Sequence, residues 1–172
     1  RNIPIAIHRL ELHLKEGKSA EEQARNVRYR KIENFLEERQ VYLTAHHADD
    51  NAETLFLNLM RGSGLEGLAG VPPLRSLGRG WVARPLLDFR RRSLEEFLLS
   101  RNIPWLQDPS NLDTSFDRNF LRNIVFPALE KRWPGLAGNL NQTSRNARDS
   151  ANVLAQLLTH PLANPVMDEY TL

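Results

Sequence analysis

The segment that most restricts the fold is the stretch from Val41 to Met60. Val41-Tyr42-Leu43-Thr44-Ala45 is short, apolar and partly β-branched, the profile of a buried parallel strand. It passes without glycine or proline into His46-His47-Ala48-Asp49-Asp50-Asn51-Ala52-Glu53-Thr54. Ala52, Leu55, Phe56, Leu59 and Met60 then keep the i, i+3, i+4, i+7, i+8 spacing of one helix face, which predicts a helix from about Asp50 to Arg61. A strand that feeds a helix is half of a βα unit. In open parallel sheets ligands sit outside the carboxyl ends of strands, so the polar junction is the favoured place for chemistry.

The flanking sequence extends this pattern. Ile5, Ile7, Leu10 and Leu12 alternate with polar residues and predict a strand over Ile3 to Leu14. Ser19, with Glu22 three residues on, predicts a capped helix to Arg39 whose stripe is Ala24, Val27, Ile32, Phe35 and Leu36. The order strand, helix, strand, helix argues for an α/β fold with a mainly parallel, here partial, sheet. Beyond Arg61 the glycines 62, 64, 67 and 70 and Pro72-Pro73 read as a loop, followed by a short strand at Trp81 to Leu86. Ser93 is the expected cap of a helix ending near Arg101, with Glu95 and Glu96 in its first turn. From Phe116 the pattern is helical, interrupted at Pro127 and Pro134-Gly135, and Leu136 to Leu158 predicts one long helix. A boundary near residue 130 is expected, dividing an α/β part, 1–130, from a helical segment, 131–172.

Composition narrows the function classes. The 172 residues, 41% hydrophobic and 26% charged, suit a globular chain, and no apolar run approaches the about 20 residues of a spanning helix. Without cysteine there are no disulfides, thiolate chemistry or Cys-ligated zinc. Of the 23 basic residues 19 are Arg, which favours contact with phosphates and bases; GC-rich codon usage explains the same bias equally well. The chain opens Arg1-Asn2-Ile3-Pro4, with no initiating Met and no signal-peptide pattern, and reads as a cut end.

Four constellations carry chemistry. At the strand-to-helix junction, Asp49 and Glu53 are four apart and Asp50 and Glu53 three apart, so these carboxylates can share a helical face beside His46 and hold Mg²⁺, an ammonium group or a proton in transit. The alternative is a capping box with Asp50 as N-cap and Glu53 as the third helical residue. A dedicated zinc site is not expected, because adjacent histidines on an extended segment point to opposite faces. Arg25 and Arg28 lie on one side of the first helix and can clamp a phosphate or form a solvated face. The glycines after Arg61 suit a substrate loop or a simple helix C-cap. Arg118 and Arg122, at i, i+4 around Asn119, present a basic face to a phosphate or pair with Asp117 or Asp113. Ser110 and Asn111 suit a turn.

Taken together, ARNVRY (Ala24 to Tyr29), TAHHADDNAET (Thr44 to Thr54), RGSGLEGLAGVPP (Arg61 to Pro73), RPLL (Arg84 to Leu87), DPSN (Asp108 to Asn111) and RNFLR (Arg118 to Arg122) occur in the order and spacing of the bacterial tRNA(Ile)-lysidine synthetase family. The chain resembles that family over roughly residues 20 to 135, with Asn51 where members more often carry Gln. The resemblance implies a nucleotide-binding fold of the adenine nucleotide alpha hydrolase type. It also implies ATP-dependent adenylation of the wobble cytidine of a tRNA(Ile) with a CAU anticodon, followed by displacement of AMP by the ε-amine of L-lysine, with Mg²⁺ on the phosphates. In residue terms it places Arg25 and Arg28 near the activated base and phosphates and Asp50 and Glu53 at the lysine ammonium. His46 stands beside them, and Arg118, Asn119 and Arg122 contact tRNA. A cytoplasmic location follows, and a second copy of the chain joins the expected partners.

Members of that family open with a strand and a Ser-Gly-Gly-x-Asp-Ser loop that cradles ATP phosphates. No such motif stands anywhere in these 172 residues, and the chain reads as an incomplete, inactive portion of such an enzyme. Two other readings stay open. One is another loop-type ATP pyrophosphatase acting on tRNA, although thiolases of that type usually carry cysteines; the other is a non-catalytic tRNA-binding remnant.

Overall fold

A computed structural model describes residues 4–12 and 20–159. The chain forms an α/β fold of two compact units: Arg1–Thr44 with Leu74–Ala83, and Ala45–Pro73 with Arg84–Leu172.

In the first unit, helix α1 (Ala20–Phe35) precedes strand β1 (Val41–Leu43), and β2 (Leu74–Leu77) and β3 (Gly80–Ala83) complete a three-stranded sheet of order β1-β3-β2. β1 runs parallel to β3 with Val41 opposite Trp81, and β2 runs antiparallel to it. β2 was not foreseen: its residues lie between the expected glycine loop, which ends at Pro73, and the strand expected from Trp81. Its signal is the pair Gly78-Arg79, a two-residue hairpin connection with Gly78 at φ +55°. Tyr29 of α1 and Leu36, just beyond its end, pack with Leu77 and Val82, and the β-branched Val82 at the sheet centre is fully buried.

The strand expected over Ile3 to Leu14 does not form in residues 4–12, which have no regular backbone pattern. Ile5 and Ile7 stay exposed, and an alternating segment stabilises as a strand only when a ladder partner and one buried face accompany it. Residues 3, 13 and 14 and the Ser19 cap lie outside the described residues.

The second unit is helical: α2 (Ala48–Met60), α3 (Leu65–Leu68), α4 (Arg91–Ser100), α5 (Asp117–Phe120), α6 (Phe126–Arg132) and α7 (Leu136–Thr159), with a 3-10 turn at Pro109–Leu112. A π-helical stretch, Leu121–Val125, joins α5 to α6. Pro127 therefore does not break the helix; having no N–H to donate, it sits in the first turn of α6 directly after the widened turn. Ala52 of α2, Leu121, Phe126 and Ala137 form the core, with Phe56 edge-on to Phe126 at 5.6 Å. The long helix over Leu136 to Leu158 is present as α7. The expected Ser93 cap is not: α4 begins two residues earlier, at Arg91, and a carboxylate from α2 takes over the capping role.

Candidate active site

The site is built at the start of α2. His47 is the N-cap: its Nδ1 accepts from the Asp50 backbone N–H at 3.3 Å while the Asp50 carboxylate accepts from the His47 N–H at 3.0 Å. This is a capping box, but three residues ahead of the Asp50 and Glu53 box considered from the sequence. An imidazole substitutes for the usual hydroxyl or carboxylate acceptor. Burial lowers the His47 pKa, opposed by Asp50 and Asp49, so the ring stays neutral and can accept.

The shift places Glu53 in the second turn, where it faces inward at 1% exposure. Arg122 covers it. Arg122 Nε donates to Glu53 Oε1 at 2.7 Å and Nη2 to Oε2 at 2.9 Å, a two-pronged fork, and Nη2 also donates to Asp50 Oδ1 at 3.1 Å. Burial pushes the Glu53 carboxyl upward, with Arg122 pulling the other way. Arg122 is itself desolvated, yet Glu53 and Asp50 raise its pKa above the ordinary value. The fork geometry is that of a charged pair.

Asp49, one turn ahead of Glu53, faces α4. Its Oδ1 accepts from Arg90 Nε at 3.0 Å and its Oδ2 from the Arg91 backbone N–H at 2.7 Å, which caps α4 from outside. These residues line a cleft of about 290 Å³ that includes Asp49, Glu53, Arg90, Arg91, Arg122 and Phe126. Among the described residues no group of three or more His, Asp or Glu is placed to hold a metal. Asp49, Asp50 and Glu53 are already engaged by arginines and backbone N–H groups and do not fit a resident cation.

Behind the acidic face, a buried amide network fixes α2 to the glycine loop and to α7. Asn51 Oδ1 accepts from the Val71 N–H at 2.7 Å, and its Nδ2 donates to Asn141 Oδ1 at 2.7 Å. Asn141 Nδ2 donates to the carbonyls of Ala48 and Ala137. Ser144 Oγ and Arg148 Nη2 both donate to the Ala69 carbonyl at 2.8 Å. Arg84 of the RPLL stretch is buried and donates to the Pro72 carbonyl. The glycine loop is thus held by side chains from three places in the sequence.

The expected site residues fall as follows. Asp50, Glu53 and Arg122 meet in the ion cluster, and His46 precedes the cap at intermediate exposure. Arg118 Nη2 donates to Thr54 Oγ1 at 2.7 Å, so neither it nor Arg122 takes the expected Asp117 or Asp113 partner; Asp117 instead lies 3.6 Å from Arg61. Asn119 donates to the carbonyls of Ser110 and Asp113, and Asp108 accepts from the Ser110 N–H, which closes the DPSN turn. In the first unit, the Arg25 guanidinium lies over the Tyr29 ring at 5.3 Å and Arg28 is exposed on α1. The sequence singled out Asp49 but not Arg90 or Asn141 as site-building residues. The Arg90-Arg91-Arg92 run ahead of a helix was the available signal for Arg90; nothing local marks Asn141.

The profile of the PP-loop domain family matches residues 1–129. A tRNA(Ile)-lysidine synthase of Vibrio vulnificus (strain YJ016) is 39% identical over 158 residues, covering 92% of this chain and 36% of the relative. Those of Pseudomonas aeruginosa and Methylococcus capsulatus are 41% identical over 155 residues and 43% over 141, covering 90% and 82% of this chain and 35% and 32% of the relatives. The chain spans about a third of the length of the curated relatives it matches. With 129 of its 172 residues inside that profile, the chain belongs to the PP-loop domain family.

Proposed function

We propose that this chain serves an ATP-dependent carbon–nitrogen ligase of the tRNA(Ile)-lysidine synthase kind, joining L-lysine to carbon 2 of the wobble cytidine of a CAU-anticodon tRNA(Ile) in the cytoplasm. The observation that carries the reading is the carboxylate pair of α2, which holds the cationic head of a long side chain, the Arg122 guanidinium, at 2.7 to 3.1 Å. A site that holds that head has the charge and donor geometry for the ε-ammonium of lysine. In this reading Asp50 and Glu53 orient the amine, with His46 beside them. Arg118, Asn119 and Arg122 face the tRNA, and Arg25 and Arg28 supply cations to the base and phosphates. ATP supplies the activation, and Mg²⁺ comes with its phosphates, because the described carboxylates do not fit a resident ion.

Residues 1–130 form the catalytic part in this proposal and 131–172 a helical segment. The chain by itself does not complete the reaction, since no Ser-Gly-Gly-x-Asp-Ser segment stands in it. The second reading is a tRNA-binding module without catalysis. To decide between them, the matched stretch of the Pseudomonas aeruginosa relative is replaced by this chain, and lysine incorporation into tRNA(Ile) is followed. Turnover is expected, and Glu53→Gln should raise the lysine requirement far more than the ATP requirement. A folded chimera that binds tRNA but incorporates no lysine would favour the binding module. Equal effects of Glu53→Gln on lysine and ATP would remove the acidic pair from the lysine site.

A further inference from the structure

The Arg122 fork and the proposed function make competing demands on the same atoms. Glu53 is 1% exposed because Arg122 lies on it, and three of the guanidinium's hydrogen bonds go to the two carboxylates proposed to receive lysine. An ammonium group cannot reach Glu53 while Arg122 holds both of its oxygens. Nor can Arg122 make its own fork to an RNA phosphate while its Nε and Nη2 are donating to Glu53.

We infer that Arg122 is a gate on the lysine site, seated on Asp50 and Glu53 until an RNA phosphate draws its guanidinium away. This deepens the proposed function and rests on it. The swap conserves charge pairing at each step: the guanidinium exchanges carboxylates for phosphate, and the ammonium takes the vacated carboxylates. Neither half is favourable alone. Moving Arg122 without a cation to replace it leaves Glu53 buried and unpaired, and seating lysine without an anion for Arg122 strands a second cation in the same cluster.

The surroundings suit such a movement. Arg122 sits on the π-helical stretch Leu121–Val125, a place where the backbone ladder is already widened. Its side chain is 23% exposed, so one side of the guanidinium is open to solvent. The next arginine on the same side, Arg118, donates to a neutral hydroxyl, Thr54 Oγ1, rather than forking onto a carboxylate, and can begin the contact with phosphate. Reciprocity follows: tRNA must tighten lysine binding by the factor by which lysine tightens tRNA binding.

The test measures L-lysine binding to this 172-residue chain by equilibrium dialysis, with and without CAU-anticodon tRNA(Ile). The native chain should bind lysine weakly alone and roughly fivefold or more tighter with tRNA, the lower end of ordinary coupling. Arg122→Gln should bind lysine without tRNA at least as tightly as the native chain does with it, and tRNA should no longer alter that affinity. Arg122→Lys keeps the charge without the planar fork, so it covers the case in which Arg122→Gln fails to fold; it too should bind lysine more tightly than the native chain without tRNA. Arg145→Gln, the same charge change on the exposed face of α7, should leave lysine affinity unchanged. Lysine affinity unmoved by tRNA and by both Arg122 variants would overturn the gate while leaving lysine at the site. Absence of lysine binding in every variant, with or without tRNA, would overturn the proposed function and the gate with it.

Discussion

Two glycines in the same loop separate backbone strain from packing. Gly62 and Gly70 have nearly the same left-handed backbone, φ +70° and φ +64°. A Cβ on Gly62 would meet open space, whereas one on Gly70 would fall inside the contact radius of Asn51 Oδ1 and 2.6 Å from Ser144 Oγ. Those two atoms make the hydrogen bonds to Val71 N–H and to the Ala69 carbonyl that hold the loop. Alanine in the left-handed region costs about 1–2 kcal/mol, offset in part by the lower entropy of the unfolded chain, so Gly62→Ala should cost about 1 kcal/mol. Gly70→Ala adds overpacking of about 1–3 kcal/mol and the weakening of two buried hydrogen bonds at about 1 kcal/mol each. The expected gap between the two variants is therefore about 3–5 kcal/mol. Urea unfolding followed by circular dichroism reads it as a midpoint difference at equal slope. If the two variants unfold within about 1 kcal/mol of each other, the amide network does not hold the loop as described.

Three further outcomes are expected. Arg122→Ala should cost about 3–5 kcal/mol in the same urea assay by leaving Glu53 buried and unpaired, while the double variant Arg122→Met with Glu53→Leu should return most of that loss. Because burial lowers the His47 pKa, the unfolded chain binds the proton more tightly; stability contributed by the neutral cap is full above about pH 6.5 and falls as pH drops below it. Comparing native chain with His47→Asn between pH 7 and 5 isolates that term from Glu53, whose raised pKa acts in the opposite sense, and parallel curves would show that the cap does not titrate. Arg118→Ala should reduce the salt dependence of tRNA binding by roughly one unit of slope, measured by filter binding across a salt series, and an unchanged slope would leave Arg118 only its bond to Thr54.

The α/β fold, helix α2 and helix α7 were legible because their signals are local: stripes at helical spacing for the two helices, and for β1 an apolar run that forms the expected parallel strand but leaves Val41 and Leu43 exposed rather than buried. The residues that meet at Glu53 were legible as kinds but not as partners. Arg122 and Glu53 are 69 positions apart, and their pairing depends on how the helices of the second unit pack, which no local spacing encodes. The capping box was misplaced by three residues for a similar reason. Asp50 and Glu53 satisfy the pattern on paper, but burial lowers the His47 pKa and keeps the ring neutral, so its Nδ1 lone pair is there to accept from the Asp50 N–H. The strand expected near the N-terminus failed because alternation describes what a strand would bury, not whether a partner is there to pair with it.

The placement of Arg122 traces back to a proline. Pro127 has no N–H to return to the preceding turn, and the Phe126 N–H bonds to the Leu121 carbonyl five residues back instead of four. The wider turn permits adjacent residues to serve different layers: Leu121 enters the core with Ala52, while Arg122, its neighbour, reaches the Glu53 carboxylate on the same helix α2. An apolar contact and a charged fork from consecutive positions therefore anchor one short segment to one face of α2. The same widened turn that brings the guanidinium onto the acidic pair leaves its segment with a ladder already loosened, so the feature that closes the site also gives Arg122 a backbone on which it can move.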